Sequence, residues 1–366
     1  MHATKKLQET SLYKEAIGNL QSYYHLSLKK EKQQQSYSKR ICRINKNTGE
    51  VTSPIFSFEK HHKTYAKTMM QKITVLEHTA KELDLVPIFM TITLPSKYHP
   101  FQGKVIKGQY VYTNINPNFS FDSMCEAINS GYRELNTLFR TFYKRVKGIV
   151  EQVIYIKVFE PHITMIPHLH VLFFVEKYML QSVSEEFEKL VFENELEQVD
   201  FSESSCKDDI QSASAYMRKY ITKELNSGED AFEARVIDGW KKEHKIRIIS
   251  TSNTSLSTLL YQKIYFNIPP HIKELMNKYM ERKKISFFQF LQWNTQIIET
   301  LVKEEKHGIE IEKKVINTFQ IFRVEIHKTR KRKNGVLVYN MEGLVIKFLE
   351  KVIYDKKNYI TERILP

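Results

Sequence analysis

The sequence predicts an α+β fold: antiparallel strands set among helices, with extra segments at both ends. Three observations point there. Apolar residues recur at three- and four-residue steps through two long stretches, as on the buried face of a helix. Three short runs rich in β-branched and aromatic residues, 88–94, 153–159 and 169–175, read as strands. The last two are joined by a short segment holding Pro161 and Pro167, which suits an antiparallel pair rather than a crossover.

In chain order, residues 1–56 are polar and basic, densest between Lys29 and Arg40. They read as a short helix followed by a weakly ordered basic segment. Ala66, Met69, Met70, Ile73, Leu76, Ala80 and Leu83 predict a helix over about 57–83, ended by Pro87. The strand 88–94 follows, stopped by Pro95, then a loop with Pro100, Gly103 and Pro117. Met124, Ala127, Ile128, Leu135, Leu138, Phe139 and Phe142 line a helix over about 121–146. After the strand pair come a helix over 182–197, an acidic loop over 198–209, and a helix over about 211–225. A strand is expected at 245–249 and a helix at 255–266. Ile268-Pro269-Pro270 reads as a linker, followed by helix to about 306. A hairpin is expected from 319–326 and 336–339, turning at Asn334-Gly335, with the basic run 327–333 at its tip. This gives three parts: a basic N-terminal segment 1–56, a central domain 57–266, and a helical and hairpin domain 267–366 suited to DNA.

Composition bounds the function. The formal charge of +14 and pI near 9.3 call for an acidic partner, nucleic acid first and a membrane surface second. No apolar stretch approaches the roughly 18 residues of a spanning helix. The N-terminus lacks the apolar region of a signal peptide. Cys42, Cys125 and Cys206 are far apart, as suits a reducing compartment, and show no zinc-type spacing. These features predict a reducing cytoplasm. There is no Gly-x-x-x-x-Gly-Lys-Ser/Thr phosphate loop, hence no recognisable helicase motor.

Two constellations carry chemistry. His168 and His170 lie one residue apart at the start of a strand, so both imidazoles point to the same side and can grip one divalent ion. Glu160 ends the preceding strand and returns beside them in a hairpin; His162 has the same parity and competes as third ligand. Two imidazoles and a carboxylate suit Mg²⁺ or Mn²⁺, with positions left open for phosphate oxygens. Further on, Tyr216 and Tyr220 sit one helical turn apart, and Lys219 and Lys223 form a second such pair. A phenol is a poor nucleophile near neutrality unless cations favour its phenolate. Each constellation also has a plain structural reading, as strand residues facing solvent or tyrosines packed in a core.

Three segments together resemble the bacteriophage gene A type replication initiators, two-tyrosine members of the HUH endonuclease superfamily that contains the rolling-circle initiators. Phe89–Pro100 resembles their first motif. Val158–His162 with Pro167–His170 resembles their metal motif, and Ser214–Lys223 their two-tyrosine motif. The resemblance spans about residues 85–265. It implies a central antiparallel sheet flanked by helices. It assigns the metal to His168, His170 and Glu160, the alternating nucleophiles to Tyr216 and Tyr220, and phosphate neutralisation to Lys219 or Lys223. It further implies nicking of single-stranded DNA at an origin, a covalent 5′ adduct and a free 3′ hydroxyl. The implied partners are single-stranded DNA, origin duplex DNA, and a host helicase and polymerase. One departure stands out: Ile163-Thr-Met-Ile166 replaces the glycine-containing turn usual in the family. Lys97, Tyr98 and His99 are candidates to line the DNA path. A two-tyrosine single-strand transposase, a plasmid relaxase or initiator, and a non-catalytic DNA-binding protein are the competing readings.

Overall fold

The structure, a computed structural model, describes residues 2–40, 43–44, 51–52, 55–202, 215, 231–252, 264–265, 267–285, 287–302, 309–315, 322–333 and 336–357. The chain divides into two compact units, Met1–Ser252 and Asn253–Pro366.

In the first unit the described elements are α1 (Lys5–Gln8), α2 (Ser11–Ser38), β1 (Arg43–Ile44), β2 (Val51–Thr52), α3 (Phe58–Glu82), β3 (Leu85–Ile92), β4 (Phe101–Ile106), β5 (Gln109–Ile115), α4 (Met124–Ile149), β6 (Ile154–Pro161), β7 (Pro167–Glu176), α5 (Leu180–Glu193), β8 (Val199–Ser202), α6 (Ala231–Glu243) and β9 (Ile249–Thr251). Five strands form one sheet in the order β8-β3-β7-β6-β9, antiparallel at every step. Helices flank it, so the α+β expectation holds. Strand β7 is central, and from Leu169 to Val175 no side chain is more than 5% exposed. On one face Phe173 meets Phe139 and Phe142 of α4, and Phe142 also meets Phe187 of α5. Helix α3 packs against β3 and β6. Ser57 and Ser123 start α3 and α4 by accepting from the backbone N–H groups of Lys60 and Glu126.

The structure departs from the sequence reading in several places. Pro87 does not end α3; the helix stops at Glu82, the chain turns through Asp84 at φ 51°, and Pro87 lies within β3 opposite Phe174. Among the described residues β8 pairs with Phe89–Ile92 and not with Pro87, so no described ladder bond needs the N–H that proline lacks. The segment read as a loop after Pro95 contains the β4–β5 hairpin. Its Lys107-Gly108 turn has positive φ at both residues (50° and 78°), as a two-residue type I′ connection requires. Strand β9 covers 249–251 rather than 245–249.

The N-terminal segment is a helix as far as Ser38, and Tyr13, Ala16 and Tyr23 belong to the core. Helix α2 packs along α6. Asp238 of α6 accepts a 2.7 Å hydrogen bond from Ser27, and Arg235 pairs with Glu31 at 2.7 Å. Gly239 lies against Tyr23, where a Cβ would stand 1.9 Å from the tyrosine carbonyl oxygen.

In the second unit, α7 (Pro270–Lys283) begins with proline at a first-turn position, and α8 (Phe287–Asn294) follows. Strands β10 (Thr295–Val302), β11 (Ile309–Val315), β12 (Phe322–Lys333), β13 (Val336–Phe348) and β14 (Lys351–Lys357) form a sheet in the order β11-β10-β12-β13-β14. Only β10 and β12 run parallel. Met276, Met280, Phe290, Phe322, Val324 and Ile346 make its core. The helix expected to about 306 therefore gives way to β10 at Thr295. The basic run 327–333 is not a hairpin tip: it continues β12, paired with β13 from Gly343 back to Val336. The turn residues Asn334 and Gly335 lie outside the described residues. Among the described residues no helix is long and apolar enough to cross a membrane.

Three predictions concern α2 and α6. Gly239→Ala should lose about 3 kcal/mol in denaturant unfolding, since backbone cannot yield to the new methyl. Gly18→Ala on α2, with nothing within 4 Å, should instead gain about 0.5–1 kcal/mol. Burial opposes ionisation of Asp238, but His62, Lys241, Lys242 and Ser27 outweigh it and hold its carboxyl well below the usual range. A depressed folded pKa contributes stability above the unfolded value of about 4, lost as pH falls below it. Asp238→Asn should therefore cost most at neutral pH, and the gap in melting temperature from wild type should narrow below about pH 4.

Candidate functional site

Strand pairing assembles the site. β7 meets β6 with Glu160 opposite His168 and Val158 opposite His170, and meets β3 with Thr91 opposite His170. Directly paired residues share a face, and alternate residues along a strand do too. Glu160, His168, His170 and Thr91 therefore stand together at one end of the sheet, on the face away from Phe173.

His170 is clamped. Its Nδ1 is 3.1 Å from Thr91 Oγ1 and its Nε2 is 3.1 Å from Glu160 Oε2, while the ring stacks on Phe89. Whichever nitrogen carries the proton, Thr91 and Glu160 engage both ring nitrogens and fix the orientation of the imidazole. His168 differs. Its ring stacks on His162, with centroids 5.1 Å apart and planes at 19°, and meets His99 edge-on at 6.3 Å. Its Nε2 is buried and has no hydrogen-bond partner among the described residues. Burial, reinforced by His162, His99 and His170, pushes His168 down to about 3, against a weaker upward pull from Glu160. The imidazole is neutral near pH 7 and keeps a lone pair to give. Burial also lowers His99, whose Nε2 lies 3.0 Å from the Leu94 carbonyl oxygen.

These donors suit a divalent ion: a neutral imidazole with an unpartnered nitrogen, beside an imidazole–carboxylate pair. They are paired with one another, however: among the described residues no three His, Cys, Asp or Glu side chains surround a common metal position. Of the two candidates for third ligand, Glu160 contacts His170 and His162 contacts His168.

The connection from β6 to β7 is held from outside. His162 N donates to Ile166 O at 2.8 Å, and Met165 N donates to His162 O at 2.7 Å. Met165 has φ 65°, the left-handed region that favours glycine. The turn that lacks a glycine thus takes the glycine conformation anyway. Trp240, fully buried on α6, donates from Nε1 to Met165 O at 3.0 Å and pins it.

Of the residues expected along a DNA path, Lys97 is exposed and His99 lines the site. Tyr98 does not: it is 5% exposed and packs on Phe121. Its alternation toward the core was hidden in a short helical turn. Tyr216, Lys219, Tyr220 and Lys223 lie outside the described residues. Sequence reading missed the β4–β5 hairpin, which faces the β6–β7 turn across a cleft of about 680 Å³. His99, His162, His168, Gln102, Tyr110 and Tyr112 are among its walls. The Lys107-Gly108 pair, just before the tyrosine-bearing strand β5, was the available signal.

A sequence model of the family described as bacteriophage replication gene A protein (GPA) matches residues 22–228, over half of the chain. No curated protein and no solved structure matches it.

Removing the Trp240 donor should loosen the turn without unmaking the sheet. Trp240→Phe is expected to cost about 1–3 kcal/mol and to speed hydrogen exchange at the His162 and Met165 amides, while Leu172 and Phe173 stay protected.

Proposed function

Because the chain belongs to the bacteriophage replication gene A protein family, whose role is in starting phage replication, we propose that it is the nicking enzyme of that process. It cleaves single-stranded DNA at an origin, forms a 5′-phosphotyrosine and frees a 3′ hydroxyl, then rejoins strands as in rolling-circle replication. The observation that carries this reading is the convergence of Glu160, His168, His170 and Thr91 at one sheet end, beside a cleft.

His168 and His170, with Glu160 as third ligand and His162 as its alternative, would hold Mg²⁺ or Mn²⁺. Such an ion polarises a scissile phosphate and neutralises charge developing on it. Thr91 orients His170, and Phe89 supports its ring. Tyr216 or Tyr220 attacks phosphorus through its phenolic oxygen, and the bond from phosphorus to the 3′ oxygen breaks. The phenol gives up one proton and the leaving 3′ oxygen gains one, so the step is balanced. Lys219 and Lys223 favour the phenolate by their positive charge. The phosphotyrosine conserves the energy of the broken bond, so a later 3′ hydroxyl reverses the step and seals the strand. Two tyrosines four residues apart in sequence would allow a second cleavage before the first product leaves. DNA is the partner that the +14 charge fits; a host helicase would supply the single strand, and a host polymerase would extend the 3′ end.

Incubation with pooled single-stranded oligonucleotides and Mn²⁺, followed by mass spectrometry, should yield a covalent adduct at Tyr216 or Tyr220. A Tyr216→Phe, Tyr220→Phe protein should give none; an adduct that persists in it rules the reading out. Thr91→Val should weaken Mn²⁺ binding in calorimetry by roughly 10–100-fold with the fold intact.

A further inference from the structure

The cleft beside His168 contains no lysine, arginine, aspartate or glutamate among its described lining residues. That is unexpected in a chain of charge +14 that binds a polyanion. A phosphate site would gather cations or backbone N–H groups. This cleft gathers amides, hydroxyls and aromatic rings, which complement a neutral, flat ligand with hydrogen-bonding edges.

Its inner wall is built rigidly. Tyr112 N donates to His2 O at 2.9 Å and Thr4 N donates to Tyr112 O at 3.0 Å, so the N-terminus grips β5 from outside. Tyr112 is 3% exposed, and its hydroxyl is buried without a hydrogen-bond partner among the described residues. Such an unpartnered group costs free energy unless something else satisfies it. Burial, then Tyr110, raises the Tyr112 phenol to about 12, so it remains a donor at any physiological pH. Tyr110, about half exposed, crosses Tyr112 edge-on with centroids 5.2 Å apart. It lies over Gly103, at a break in hairpin register, where a Cβ would sit 2.8 Å from the Tyr110 ring and 2.5 Å from Val111 O. The glycine makes room for the ring. Gln102 Nε2 donates to Asn116 Oδ1 at 3.2 Å, and Asn116 is fixed by donating to Ser96 O and His99 O. The glutamine amide is therefore oriented before any ligand arrives.

We propose that this cleft is a nucleobase pocket: it takes one unstacked base of the single-stranded DNA next to the metal residues, with Tyr110 as stacking face and Tyr112 and Gln102 reading the base edge. This rests on the proposed function for the identity of the strand. Bases stack on aromatic side chains whatever their sequence, while a buried donor and an oriented amide discriminate among edges. The hairpin thus holds a nucleotide by its base, leaving the phosphate to the site residues.

The test is affinity of the full chain, in EDTA, for oligo-dT, oligo-dC and oligo-dA of about 16 nucleotides against an abasic strand of equal length and charge. Wild type should prefer at least one base-bearing strand. Tyr110→Ala should lower that preference about tenfold, and Tyr112→Phe about fivefold, both with abasic binding unchanged. An unchanged preference in both variants overturns the pocket. So does a parallel loss on the abasic strand, which would make these residues structural. The adduct assay separates the two ideas. An adduct with no variant effect on base preference leaves the nicking enzyme standing without the pocket. A tyrosine-dependent base preference with no adduct leaves the pocket standing without the nicking enzyme.

Discussion

The pairing register of β7 governs everything at the site. Side chains alternate strictly along a strand, so a slip of one residue would send His168 and His170 to the face of Phe139 and Phe142 and bring Leu169 and Val171 to Glu160. What prevents the slip is apolar packing further along the same strand. Phe173, locked among the rings of α4, cannot exchange places with a neighbour, and a fully buried phenylalanine is worth about 3–5 kcal/mol against its removal. The polar cluster is thereby positioned by contacts it does not make. It also tolerates burial, because His170 is hydrogen-bonded at both nitrogens.

Support for the cluster comes from distant parts of the chain. The β6–β7 turn is strained at Met165, and its restraint is Trp240 on α6. Helix α6 is in turn seated on α2 through Gly239, Asp238 and Arg235. The N-terminal residues, far from the site in sequence, thus act on it twice: through α2 to the imidazole turn, and through His2 and Thr4 to the hairpin wall. One helix binds the turn, and one short bridge holds the cleft.

What could be read in advance follows from where the packing is apolar. Helices α3 and α4 and strands β6 and β7 bury hydrophobic residues at regular spacing, so periodicity alone places them. Helix α2 was legible only in part, because its apolar core residues Tyr13, Ala16 and Tyr23 are few for its length and Ser27 and Glu31 meet α6 through polar contacts. The β4–β5 hairpin escaped because its outer residues, such as Val105 and Tyr110, are exposed and break the expected alternation. The basic run was misplaced because charge density suggests a turn, whereas in β12 it is the ladder that sets backbone form. At the site, the face shared by Glu160, His168 and His170 was legible from parity. Thr91 and Trp240 were not, since their roles depend on contacts across 79 and 75 residues of chain. The tyrosine pair rests on sequence spacing.

The neutral cleft and the basic chain are parts of one arrangement. Attraction to phosphate is the same at every nucleotide, so it gathers DNA without choosing a position. Choice needs groups that are indifferent to charge and sensitive to shape. A lysine in the cleft would draw the backbone into the space a base should fill, and would raise affinity for every register equally. Cations therefore belong outside it: Lys29, Lys32 and Arg40, for example, flank a groove on α2. Uncharged imidazoles serve the same end. With His168 held neutral by burial, no lysine or arginine stands among the described lining residues of the cleft, and under the proposed function positive charge there would come with a bound divalent ion. Under the proposed function, this division lets long-range attraction set the rate of encounter while the pocket sets which phosphate is presented.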